Sequence, residues 1–440
     1  MRKNLNKIIA FAIGVSVVSG SALPVMATEV KNTTNTSSNS QSEINSGVYK
    51  VENAVEDAIA NSDKLAILNS SLSVFNAQKD VYEKRDDMGQ DMDDKIDKVD
   101  IQISQTKQKR DYVQDYIKYT VTNDYNAIVL ANEKIALAEE NIKIKSDSIN
   151  QSKLKQQLGL STELNLRSEE AELTKLKDDL EAQKKSVNDL IYKLGLTTGK
   201  DLSKATFSNN IEYKKFTVDG SFDKYMEKSI KDIVKYDVDL IDIAKDDLAD
   251  RKDDDEHKFP KEKDYPLEPN PGEPPVNPID KAKEQGKDPK EITGEEVARY
   301  VYELEEYRKK IDKRNQSLNR YSEALTKYLT YHSDKFSNDQ SIHTLNMTED
   351  AYRNTMKANY TKLQGLEDSI KQAQTGIEIL NQNIKNTKLQ YDLGLVTKNV
   401  YDQMVYKQKE AQMNLETAID GYNKLKGMLE QPWMMAVANG

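Results

Sequence analysis

The sequence predicts an all-α fold made of duplicated long antiparallel coiled-coil hairpins, with little or no β structure. Three observations carry this. Apolar residues recur at alternating spacings of three and four over about four heptads, as a supercoiled helix seam requires. The same seam recurs 235 residues further on. Each copy then reaches a Leu-Gly-Leu turn, after which the heptad resumes. A helix that stops at a glycine and returns in phase is an antiparallel hairpin.

Taken in order, residues 1–27 read as a secretory signal: Arg2, Lys3 and Lys7, an apolar run from Ile8 to Val18, and Val25-Met26-Ala27 before a cleavage point. The apolar run is too short to span a bilayer, and an uncleaved N-terminal anchor is the alternative. Residues 28–46 are rich in Asn, Ser, Thr and Gln and read as a flexible mature N-terminus. The first helical repeat is assigned to residues 47–200. Its opening helix starts near Val48, a polar break follows at Arg85 to Asp91, and a second helix runs from about Met92 to Leu158. At 1.5 Å per residue that helix spans roughly 100 Å.

The first outgoing seam is Ile128, Ala131, Ile135, Ala138, Ile142, Lys145, Ile149, Ser152 and Gln156. It returns through Leu166, Glu169, Leu173, Leu176, Leu180, Gln183, Val187, Leu190 and Leu194. The second repeat is assigned to residues 201–440. It begins with some strand character at Ile211 to Val218, then a helix from Phe222 to about Asp250. Residues 251–292 hold eight of the ten prolines and read as a disordered or extended insertion. Helix resumes at Glu295, a polar break is expected at Ser333 to Asn346, and the second seam runs from Leu363 through Ile370, Ile377 and Ile384 to Tyr391. Its return is Tyr401, Met404, Gln408, Ala411, Leu415, Ala418, Tyr422, Leu425 and Leu429.

Composition excludes several functions. The chain has no cysteine, so neither disulfides nor thiolate chemistry are available. Its net charge of −10, with acids and bases interspersed, gives no basic face for nucleic acid. The three histidines, His257, His332 and His343, cannot build a zinc site without cysteine. No phosphate-binding glycine loop or nucleophile elbow is present, so no enzyme, cofactor or metal is expected. The acid clusters at Asp86 to Asp94 and Asp253 to Glu256 read as solvated loop charge.

The tips are the sharpest local signal. Gly159 and Gly394 suit a helix stop with positive φ, and Thr162 and Thr397 suit capping of the returning helices. Neither role explains the aliphatic residues beside them: Leu158 and Leu160 in one tip, Leu393, Leu395 and Val396 in the other. Burial within the turn and contact with a partner both account for these residues.

Here the chain resembles the TolC family, the outer-membrane-factor channels of efflux and type I secretion. Family tips carry a tyrosine, then Gly-Leu and a small hydroxyl residue, then a long amphipathic return helix. The second copy reads Tyr391-Asp392-Leu393-Gly394-Leu395-Val396-Thr397 and continues Val400-Tyr401-Asp402-Gln403. The first reads Gln156-Gln157-Leu158-Gly159-Leu160-Ser161-Thr162, with Gln156 in place of tyrosine. The resemblance implies a homotrimeric helical tunnel, each chain contributing a TolC-like α-barrel protomer. It implies tips at Leu158, Gly159, Leu160, Ser161, Leu393, Gly394, Leu395 and Val396 that dock a membrane-fusion-type adaptor, with Asp392 placed to line the aperture. It also implies export to the cell envelope, whether wall space, periplasm or outer membrane.

Family members that cross an outer membrane carry a β-hairpin in each half. Here the corresponding positions are taken as Arg85–Asp97 and Ser333–Asn346, both polar and short, so direct lipid insertion is not expected. A secreted coiled-coil structural protein of the envelope, without transport activity, is the competing reading. The polar seam residues Lys145, Glu169, Gln183 and Gln408 favour a polar-lined assembly over a fully packed rod.

Overall fold

The computed structural model describes residues 47–434 other than residues 161 and 210. The expected signal (1–27) and polar N-terminus (28–46), and Ser161 of the first tip, lie outside the described residues. The chain runs as β1 (Val48–Tyr49), α1 (Val51–Ala60), α2 (Asp63–Asp87), α3 (Asp93–Gln157), α4 (Glu163–Thr198), β2 (Thr206–Phe207), α5 (Phe222–Asp253), α6 (Pro278–Glu284), α7 (Gly294–Asp392) and α8 (Lys398–Glu430). The all-α expectation is met, with β1 and β2 pairing in parallel over two residues each.

The seams fold as read. All nine positions from Ile128 to Gln156, and all nine from Leu166 to Leu194, are buried or half-buried, while most residues between them face water. The second copy repeats this from Leu363 to Tyr391 and from Tyr401 to Leu429. The polar seam members carry a cost: Glu169 and Gln183 each have a side-chain oxygen buried without a hydrogen-bond partner. Such a group costs about 1–3 kcal/mol.

Three expectations are corrected. The opening helix does not begin at Val48, which is in β1, and it is interrupted at Asn61-Ser62, where Ser62 Oγ accepts from Leu65 N at 3.4 Å and starts α2. Ile211 to Val218 forms no strand; the strand lies earlier, at Thr206–Phe207. The polar break at Ser333–Asn346 is helical, inside α7. That stretch is polar but holds neither glycine nor proline, and its seam continues through Tyr331, Asn338, Ile342 and Leu345. Polarity alone does not stop a helix; a breaker does.

The chain divides into two compact units, one of residues up to Tyr236 together with those from Asn346, the other Asp237–Leu345. In the first, the segment after Gly199 forms a junction held by two fully buried tyrosines. Tyr125 Oη donates to Tyr49 O at 2.7 Å and accepts from Ser208 N at 3.0 Å. Tyr422 Oη donates to Glu367 at 2.9 Å and accepts from Phe216 N at 2.7 Å. Tyr49, Ala54, Val121, Ile128, Val187, Leu194 and Leu202 pack around Tyr125. Close by, α3 meets α8: a Cβ added at Gly427 would lie 3.0 Å from the Tyr119 ring.

In the second unit, the proline-rich connection between α5 and α7 is extended apart from α6 and single 3-10 turns at Glu262–Asp264 and Pro289–Glu291, and it is bonded to α7. Phe259 packs on Tyr328 and Tyr265 on Tyr321, with ring centroids 5.3 and 5.7 Å apart. Glu268 N donates to Ser317 Oγ at 3.1 Å, and Tyr307 Oη donates to Gly272 O at 3.2 Å. Arg251 closes the start of this strap with ion pairs to Asp247, Glu256 and Asp334 at 3.1, 2.9 and 2.8 Å. Prolines forbid regular ladders, so such a strap binds through aromatic faces and isolated polar contacts. The link between α5 and α7 is therefore residues 254–293. The equivalent link in the first half is the short turn after Asp87, where Met88, Gly89, Gln90, Asp91 and Met92 join α2 to α3.

Candidate functional site: the two hairpin tips

The two tips have one backbone. In the first, Gly159 N donates to Gln156 O and Leu160 N to Lys155 O, both at 2.8 Å. In the second, Gly394 N donates to Tyr391 O at 2.9 Å and Leu395 N to Gln390 O at 2.8 Å. This pair of bonds is the Schellman closure, and it needs a left-handed residue at the glycine. Gly159 has φ +73° and Gly394 φ +72°.

Their side chains match as closely. Leu158 and Leu393 are each 66% exposed, and Leu160 and Leu395 are 74% and 71% exposed. The turn therefore does not bury them, which removes the first of the two explanations open in the sequence. Val396 alone is half-buried. Four more aliphatic residues extend the exposed groups: Leu154 and Leu164 beside the first tip, Leu389 and Val400 beside the second. Sequence reasoning assigned none of these four to the tip surface, although their departure from the three-four seam marks them as outward-facing.

The returning helices differ at their first residue. Thr162 Oγ1 accepts from Asn165 N at 3.3 Å, as expected. Thr397 makes no side-chain cap, and only its backbone carbonyl engages the new helix, at Val400 N and Tyr401 N. The second tip has instead an aromatic pair, Tyr391 stacked on Tyr401 with centroids 5.9 Å apart. Lys388 Nζ lies over both rings and pairs with Asp392 at 2.7 Å. The bond to Asp392 raises the Lys388 pKa above its ordinary value. Asp392 is thus exposed but paired within its own helix. At the first tip, Lys153 crosses to Glu170 at 2.9 Å, tying α3 to α4.

Among the described residues, no group of three or more His, Cys, Asp or Glu is placed to hold a metal, and no helix is long and apolar enough to cross a membrane. Each tip carries an exposed apolar knob at the end of a coiled coil.

No family model matches the chain, and no curated protein matches it in sequence. Solved structures match it in fold. CusC, whose crystal structures concern folding and transmembrane channel formation, aligns with a TM-score of 0.54 at 11% identity, covering 86% of this chain and 90% of CusC. The outer-membrane channel OprN aligns at 0.55 and 8% identity, over 88% of this chain and 89% of OprN. A membrane protein from Pseudomonas aeruginosa aligns at 0.51 and 11% identity, over 89% and 93%. What these matches define is a fold class, the protomer of paired long helical hairpins. More narrowly, the fold is that of the TolC-like outer-membrane factors, spanning nearly the whole described chain.

Proposed function

We propose that this protein is the conduit component of an efflux or secretion assembly in the cell envelope. In this reading three copies close into a helical tunnel, and the tips dock a membrane-fusion-type adaptor. The observation that carries it is the pair of equivalent tips, each holding two leucines in water at the end of a hairpin whose seam residues are sheltered. Exposed leucines at two symmetry-related positions are what a repeated helical partner would engage. Asp392, paired with Lys388, is placed to contribute charge near an aperture only if that ion pair opens.

Two measurements test this. Light scattering on the purified protein should give a discrete trimer; a monomer at high concentration would favour a coiled-coil envelope protein that has the fold without the transport. Joint replacement Leu160→Asp and Leu395→Asp should remove adaptor capture while leaving helical circular dichroism unchanged. Undiminished capture by that variant would sink the docking role.

A further inference from the structure

Where α3 crosses α8, two carboxylates from different repeats meet without a cation. Asn209, in the junction, donates through Nδ2 to Glu133 Oε1 on α3 at 2.7 Å and to Glu416 Oε2 on α8 at 3.0 Å. Its own Oδ1 accepts from Ile211 N at 2.9 Å. That local bond fixes the amide orientation, so the NH2 end must face the carboxylates. One NH2 supplies a hydrogen to each glutamate and leaves nothing to offset a second negative charge.

The surrounding charges are engaged elsewhere. On the α3–α8 contact, Asp420 is held by Asn126 and Lys424, and Glu140 by Lys409. Lys193 of α4 pairs with Asp124, and Asp57 of α1 with Lys200. Glu367 of α7 pairs with Lys215 of the junction, and Glu212 with Lys214. Among the described residues, no lysine or arginine lies within ion-pair distance of Glu133 or Glu416. Both glutamates are half-buried.

We propose that Glu133, Glu416 and Asn209 form a proton-operated latch between the two repeats, closed while the carboxyl pair shares one proton and loosened when both carboxylates are charged. Like carboxylates at one site cannot both ionise without repulsion. Burial, followed by the hydrogen bond and charge of Glu133, pushes the Glu416 carboxyl up to about 7. The folded pair therefore holds its proton more tightly than an unfolded glutamate does. Its stabilisation is complete below the ordinary glutamate range and is lost as pH rises through about 7. Because α3 leads to one tip and α8 leads from the other, the latch sets how firmly one hairpin is held to the other. It does not depend on the conduit reading.

The test is hydrogen exchange on the full chain at pH 4.0 and 8.5, followed in peptides covering residues 126–140 and 409–423. Glu416→Gln keeps a hydrogen-bonding group but cannot ionise. Each wild-type rate is divided by the rate of this variant at the same pH, which cancels the intrinsic pH dependence. The ratio should stay near one at pH 4.0 and rise about tenfold at pH 8.5, one pKa unit being tenfold and the half-exposed site taking part of the full effect. Glu133→Gln should reproduce the result. In wild type alone, the same two peptides should lose protection with pH more than a peptide covering residues 174–190, which holds no such pair. A ratio unchanged between the two pH values, or equal pH response in all three wild-type peptides, overturns the latch.

Discussion

The junction and the tips lie on the same helices and are built by opposite rules. At the junction, Tyr125 and Tyr422 are fully buried and every hydroxyl is bonded to a group distant in sequence. At the tips, the leucines stand in water and the bonds that shape the backbone span only a few residues. The difference teaches where stability is kept and where apolar surface is left open. Burial of large side chains with satisfied hydroxyls stabilises the junction. The tips depend on local capping and leave their apolar surface in water.

Substitution should separate the two regions, the largest effect falling at the junction. Tyr422→Ala removes a fully buried ring and strands Phe216 N, so urea denaturation should show a loss of about 3–5 kcal/mol. A loss below 1 kcal/mol would mean that the junction is not the stable region described. Tyr125→Phe keeps the ring but leaves Tyr49 O and Ser208 N without their shared partner; about 1–3 kcal/mol should be lost. At the tips, Gly159→Ala or Gly394→Ala meets no steric contact. Only the left-handed backbone opposes it, at about 1–2 kcal/mol each, read from the same denaturation curves. Equal costs at the two glycines would confirm that the tips are energetically as well as geometrically duplicated. Smallest of all, Leu160→Asp with Leu395→Asp should change stability by about 0.5 kcal/mol or less, because both side chains are already solvated. A thermal melt that falls by many degrees would show that these leucines are structural.

Much of this was legible in the sequence. The seams from Ile128 to Leu194 and from Leu363 to Leu429 could be read because a three-four repeat is a property of the helix itself. The tip glycines were readable for a similar reason, since few residues tolerate positive φ. The exposure of Leu158 and Leu160 was not, because the same letters suit a buried turn. Nor were Tyr125 and Tyr422 as clamps: their partners are Ser208 and Phe216, in a stretch with no periodicity. Ser333–Asn346 misled because it is polar, although nothing in it obliges a helix to end. The strap on α7 was hidden by its prolines, which predict extension but not the tyrosines against which it lies.

The junction has a consequence for the order in which the chain assembles. Each hairpin seam joins residues only a few tens apart and can zip as soon as both arms exist. The strand at Val48–Tyr49 must wait for Thr206–Phe207. The backbone at Phe216 waits longer still, for a tyrosine 206 residues away in the last helix. Long loops close late because their entropy must be lost before their contacts form. A chain emerging from its N-terminus would therefore carry a finished first hairpin and an open middle, and the arrival of α8 would at once complete the second hairpin and close the junction.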